Sequence, residues 1–238
     1  MHQIVVSGIV IDVVRKDIKN LHLAVYPPSG RVRIATPTKV DDEAVRLFAI
    51  SKLGWIKKQQ TKFENQERQS ERKYVSGESH YFKGQRYLLN VIKQKGRSKV
   101  VIRNKKYLDL YVDDSYSTEQ RERVITNWYR KYLKAKIPAL IEKWEKIIGV
   151  KVLEWEVRKM KTKWGTCNRD AKRIWLNIEL AKKPEICLEY IIVHEMVHFL
   201  ERNHTDRFMA LMDTFMPSWR DHRQELNQFI LKHEEWTY

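Results

Sequence analysis

The sequence predicts an α+β protein on three observations: short β-prone runs fill its first half, long amphipathic helical patterns follow, and one almost wholly apolar segment carries a His-Glu-x-x-His pattern. A mostly β N-terminal region over residues 1–115 is expected to pack on a second part, residues 116–238, which holds that segment as a buried helix.

The strand-like runs are 9–14, 22–26, 32–35 and 87–92, rich in Val, Ile, Leu and Tyr. Between them, Asp41 or Asp42 caps a helix reaching about residue 62, with Val45, Phe48, Ala49 and Trp55 as its inner face. The polar tract 62–73 extends that helix or loops away. A second helix opens at Ser117-Thr118-Glu119, and Trp128, Tyr132, Leu133, Ile137, Leu140, Ile141, Trp144 and Ile148 recur at helical spacing. Pro138 is expected to kink it and Gly149 to end it. Two strands follow, 150–157 and 173–177, separated by a basic segment with Trp164-Gly165-Thr166-Cys167. Pro184 then opens the apolar helix. No internal repeat is evident.

That helix contains Ile191-Ile192-Val193-His194-Glu195-Met196-Val197-His198-Phe199-Leu200. Residues four apart lie about 40° apart around a helix, so His194 and His198 project from one face and can share one metal. Glu195, about 100° round from His194, is offset from ligation and placed to act on a metal-bound water. Burying two imidazoles and a carboxylate without partners is costly, and a divalent cation with its water satisfies all three. The pattern therefore reads as a zinc hydrolase site, with one Zn2+ per chain. Tyr190, one turn before His194, either orients a ligand or packs.

A catalytic zinc site takes three protein ligands and keeps one position open. His204 is the favoured third ligand, which requires the helix to stop before it: Asn203 tolerates the left-handed conformation that ends helices, and Thr205 can cap a new helix. Glu225 is the rival, and His222 a more distant candidate for reaching the site. Cys167 and Cys187 are not at metal-ligand spacing; the first could line the rim of the site and the second fits a core position.

The chain resembles the YgjP-like metallopeptidases, a family related to the SprT-like zinc proteases. The resemblance is carried by 23–25 and 30–34 with Pro37, Gly54-Trp55-Ile56, Ser76-Gly77-Glu78, Gly84-Gln85-Arg86-Tyr87, Trp128-Tyr129-Arg130, 163–167, Leu176-Asn177, 190–195, and Asn203-His204 with Phe208. It implies a zincin-like metallopeptidase domain over residues 116–238, ligands at His194, His198 and His204, a catalytic Glu195, and a protein or peptide substrate. By analogy with zincins, which bind substrate as an added strand, residues 173–177 are expected to form the receiving sheet edge, the other reading being an interior strand buried on both faces. The other reading of the pattern is a nucleic-acid-associated binding or scaffold protein with a structural metal.

The 238 residues carry a formal net charge of +16, with a dense basic cluster at Arg158, Lys159, Lys161, Lys163, Arg169, Lys172 and Arg173. Two partners suit it: DNA, contacted through phosphates, or acidic substrate segments. Two cysteines exclude a disulfide scaffold. No apolar run approaches the ~20 residues that span a bilayer, and the first residues lack a signal-peptide pattern, so a cytoplasmic protein without a membrane partner is expected.

Overall fold

Alternating apolar residues in the first 37 positions form four strands, β1 (His2–Val6), β2 (Ile9–Lys16), β3 (His22–Tyr26) and β4 (Arg31–Pro37). Their order is β1-β2-β4-β3, with β2 and β4 parallel and the outer pairs antiparallel. The inner face, Ile11, Val13, Val32 and Ile34, packs on Val45, Ala49 and Ile56. These come from α1 (Asp42–Ser51), capped by the Asp41 carboxylate accepting from the Ala44 N–H at 2.7 Å, and α2 (Leu53–Asn65). The single helix expected here is thus two. The break at Lys52 shifts the helical phase, so Ile56 is buried where Trp55 was expected, and Trp55 is 45% exposed.

The computed structural model describes residues 2–26, 29–65, 72–160 and 163–228. They divide into two compact units, one up to residue 65 and one from 72 to 228. Residues 66–71 of the polar tract expected as a helix extension or loop, and Lys161 of the basic cluster, lie outside the described residues.

The second unit begins with another four-stranded sheet, β5 (Ser79–Phe82), β6 (Gln85–Lys93), β7 (Lys99–Arg103) and β8 (Tyr107–Val112). Its order is β5-β6-β8-β7, again with a parallel inner pair and antiparallel outer pairs. A repeat therefore exists after all. It was invisible in the sequence because what recurs is strand order, while the residues filling the strands differ.

Helix α3 (Thr118–Ile148) opens with a capping box between Ser117 and Gln120 and ends on Gly149 at φ 75°. It continues through Pro138, whose exposed flank leaves the carbonyl that loses its partner open to water. Its stripe from Ile125 to Ile148 is buried, and the helix packs on β7 and β8. For that reason the units divide near residue 70, and not near 115 as the change from strands to helices suggested.

A third sheet holds β9 (Glu154–Arg158), β10 (Gly165–Asn168) and β11 (Arg173–Asn177) in the order β10-β11-β9. β11 pairs on both sides, so it is the central strand and not the edge expected of it. After a 3-10 turn (Ile178–Lys182) come α4 (Glu185–Val197), α5 (Asp206–Phe215) and α6 (Trp219–Gln228). No described helix is long and apolar enough to cross a membrane.

Helix α4 is apolar on every side and buried, packing on α3, α5, α6, β10 and β11. Its start is fixed by polar contacts. The turn between β5 and β6 donates the Lys83 and Gly84 N–H groups to the Ala181 and Lys182 carbonyls, at 3.0 Å each. Gly84 has φ 76°, and a Cβ there would stand 2.7 Å from Pro184 Cγ. Glu185 accepts from the Tyr132 hydroxyl at 2.6 Å and pairs with Lys83 at 2.9 Å and Lys136 at 3.5 Å. One turn on, Glu189 meets Lys143 at 2.6 Å and Trp144 at 2.9 Å.

The Tyr132 hydrogen bond, with Lys83 next, holds the Glu185 carboxyl down at about 2. A depressed folded pKa contributes stability above the unfolded value of roughly 4.3 and loses it as pH falls through the folded one. Glu185→Gln should therefore lower Tm at pH 6 by an amount corresponding to less than about 1 kcal/mol, since the site is solvent-screened. Melting curves should show the difference from wild type shrinking from about pH 4 downwards.

Candidate active site

The last turns of α4 are buried and carry the site's His194 and Glu195. His194 and Glu195 are 3% and 2% exposed. The helix stops at Val197, with His198 as its C-cap in right-handed geometry. The exit is a tightened turn in which the Phe199 and Leu200 N–H groups bond the Met196 and Val197 carbonyls, at 3.0 and 2.9 Å. The left-handed stop expected at Asn203 does not occur. A glycine-free exit is possible because no residue there needs positive φ. Thr205 caps α5 as expected, its hydroxyl accepting from the Phe208 N–H at 3.3 Å.

The exit returns His204 to the other two imidazoles. One nitrogen from each of His194, His198 and His204 lies within 4.8 Å of the others, and His194 Nε2 and His204 Nε2 are 3.0 Å apart. Buried Phe208 touches all three rings, with centroids 5.0, 4.7 and 4.8 Å from His194, His198 and His204. This aromatic backing was missed in the sequence, where Phe208 entered only among the residues that carry the family resemblance. Tyr190, 1% exposed, meets His194 edge-on at 5.9 Å and packs; burial pushes its hydroxyl up to about 12.

All three imidazoles are held below their ordinary pKa. Burial is the first cause in each case. For His194 the other two histidines and Arg223 add to it, and for His204 Arg223 does. For His198 the charges of His204 and Arg169 act in the same direction, against the bond to Glu201.

The donor set fits a divalent metal. Metal-binding imidazole is the neutral form. The Glu201 carbonyl can only accept, so His198 Nδ1, 3.0 Å away, carries the proton and leaves Nε2 with its lone pair. Two imidazole Nε2 atoms at 3.0 Å cannot both present lone pairs unless a proton or cation lies between them, and a tetrahedral zinc site spaces its nitrogens roughly 3.4 Å apart. Glu225, the rival ligand, is not in the cluster. It sits half-buried on α6, and its charge acts on Cys187. His222 is not in the cluster either.

A cleft of about 1110 Å3 opens onto Glu195, His198 and His204. One wall is β10, which the sequence left as a connecting segment. Asn177 positions it: its amide donates to the Met160 and Lys163 carbonyls at 2.9 and 2.8 Å, and its N–H to the Trp164 carbonyl at 2.8 Å. Among the described residues β10 pairs only with β11, so it is one of the two edge strands of this sheet, the one that lines the cleft. It passes so close to α4 that a Cβ on Gly165 would lie 2.7 Å from Glu195 Oε1. Cys167 lines the cleft, and burial, with the Glu195 charge, pushes its thiol up to about 12, which keeps it protonated. Cys187 is fully buried in the core.

Neutral imidazoles gathered beside a buried carboxylate in an open cleft are the arrangement of metal-dependent hydrolases. The chain belongs to the YgjP-like metallopeptidase family, whose domain profile matches residues 19–229; the family implies a divalent metal and a protein or peptide substrate. No curated protein matches the chain. Among solved structures it is similar to the metallopeptidase zymogen of Pyrococcus abyssi abylysin, at 18% identity and a TM-score of 0.36 over 38% of this chain and 90% of that one. A second is the zymogen of Methanocaldococcus jannaschii jannalysin, at 21% identity and 0.36 over 39% and 95%.

Gly165→Ala should force a methyl against Glu195 and Ile191, destabilising the fold by about 1–3 kcal/mol through overpacking. Denaturant unfolding would read that loss, and hydrolysis should fall while the histidine cluster keeps its metal. Wild-type stability and rate in this variant would show that the approach of strand to helix is not limiting.

Proposed function

We propose that the protein is a zinc metallopeptidase in which His194, His198 and His204 hold one Zn2+ and Glu195 is the general base. The observation that carries this reading is the convergence of three neutral imidazoles beside Glu195 in the cleft. When bound, zinc supplies Lewis acidity, polarising the scissile carbonyl and bringing the pKa of water towards about 7.

The chain's own residues do the rest. Glu195 takes the proton of the attacking water and passes it to the leaving amine. Its burial keeps bulk water from competing for that proton. Gly165 leaves room for the carboxylate to stay beside the reacting carbonyl. The free edge of β10 receives the substrate as an added strand, in the place first assigned to β11. Phe208 and the Glu201 carbonyl hold the imidazole rings in orientation.

A scaffold with a structural metal would need a fourth protein donor. Only three groups converge among the described histidines, cysteines and carboxylates, which leaves the open position that hydrolysis requires.

Glu195→Gln should lower kcat on unfolded protein by about 10²–10⁴-fold while retaining one zinc per chain by mass spectrometry. His204→Ala should lose the zinc. Full hydrolysis by the first variant, or stoichiometric zinc in the second, would refute the roles given to these residues.

A further inference from the structure

The cleft has a second chemical character. Besides the histidines and Glu195 it is lined by Lys151, Lys163, Arg169, Lys172 and Arg202, with Asp170 as the one other carboxylate. Lys151 is held by Glu145 at 2.6 Å. Among the described residues no carboxylate pairs with Lys163, Arg169, Lys172 or Arg202. The other described cations of the same basic segment are matched: Arg158 with Glu156 at 2.7 Å, Lys159 with Glu122 at 2.8 Å and Arg173 with Glu154 at 3.4 Å. Within that segment, the cations left for a ligand are the ones that line the cleft.

These cations flank β10. Gly165 lies against Glu195 and marks the level of the proposed reaction. Lys163 stands two residues before it, ahead of the strand, and Arg169 four residues after it, in the turn that follows Asn168. The turn from β10 to β11 brings Lys172 beside Arg169, its N–H bonding the Arg169 carbonyl at 3.2 Å, while the Ala171 N–H bonds Asn168 Oδ1 at 3.0 Å. A peptide strand paired with the four residues of β10 therefore runs between cations, with Lys163 beyond one end of the strand and Arg169 with Lys172 beyond the other.

Resting on the peptidase reading above, we propose that the substrates are acidic protein segments, with Asp or Glu flanking the scissile bond, engaged by Lys163 on one side and by Arg169 with Lys172 on the other. Arg202, on the opposite wall after His198, adds to the same field. The cations raise the local concentration of acidic chains and fix their register, an effect that added salt weakens.

The test uses the zinc-loaded full chain and internally quenched peptides sharing one neutral core, with Asp, Ala or Lys at the two flanking positions. The Asp peptide should exceed the Lys peptide in kcat/KM by about ten-fold or more, the gap closing near about 0.5 M salt. Arg169→Glu should reverse the preference at the distal position, which a merely structural role would not do. Independently of turnover, Glu195→Gln should bind the Asp peptide tighter than the Lys peptide by fluorescence anisotropy. Equal cleavage of all three peptides would overturn the acidic preference and leave the peptidase reading standing. Cleavage of none, with zinc loaded, would overturn both. A single-stranded oligonucleotide that binds tighter than the Asp peptide, and loses that binding in Arg169→Glu, would assign the cleft to nucleic acid and overturn the proposal.

Discussion

A methyl group at Gly165 would stand 2.7 Å from a Glu195 carboxylate oxygen, and this close approach of strand to helix is what the site depends on. In the proposed mechanism Glu195 works as a base shielded from bulk water while facing a wall where a peptide can lie, and a strand without a side chain at that point suits both demands. The rest of the second unit maintains the approach. Asn177 anchors the entry to β10, Trp164 is buried next to it, and Glu185 and Glu189 tie α4 to α3 through Tyr132, Lys143 and Trp144. The polar ties give α4 a fixed orientation that apolar packing alone, being non-directional, does not.

The centre was legible because its chemistry is local. His194, Glu195 and His198 follow from helical spacing, and the apolar residues around them announced burial. His204 was reachable from the Thr205 cap, though the means by which the chain turns back was not. Helix exits without glycine use tightened turns that leave no residue-type signature, so a left-handed Asn203 was the natural but incorrect expectation. Glu225 stands outside the histidine cluster, which sequence spacing could not show because it does not say which face of α6 meets α4.

Sheet order was not legible. Periodicity marks strands but does not say which is central, so β11 was taken for the edge and four-residue β10 was overlooked among basic residues. The break at Lys52 was similarly hidden, since its flanks both favour helix and a one-residue interruption costs the pattern little. The basic cluster was visible as a cluster only. Its division into paired outer cations and cleft-lining ones depends on where Glu122, Glu154 and Glu156 fall, which is a property of the fold.

The two four-stranded sheets share one strand order, and each buries a single carboxylate whose partners are local to it. In the first, Asp12 on β2 is held by Gln3 of β1 and Arg31 of β4; in the second, Asp109 on β8 is held by Arg103 of β7 at 2.6 Å and Asn90 of β6 at 3.0 Å. Adjacent units of like topology are where chains misassemble during folding. A strand inserted into the wrong sheet here would bury its carboxylate away from its arginine, and burial without a partner is disfavoured. Asp12 and Asp109 thus work as address labels: the first is satisfied only between β1 and β4, the second only between β6 and β7, so each sheet favours its own strands.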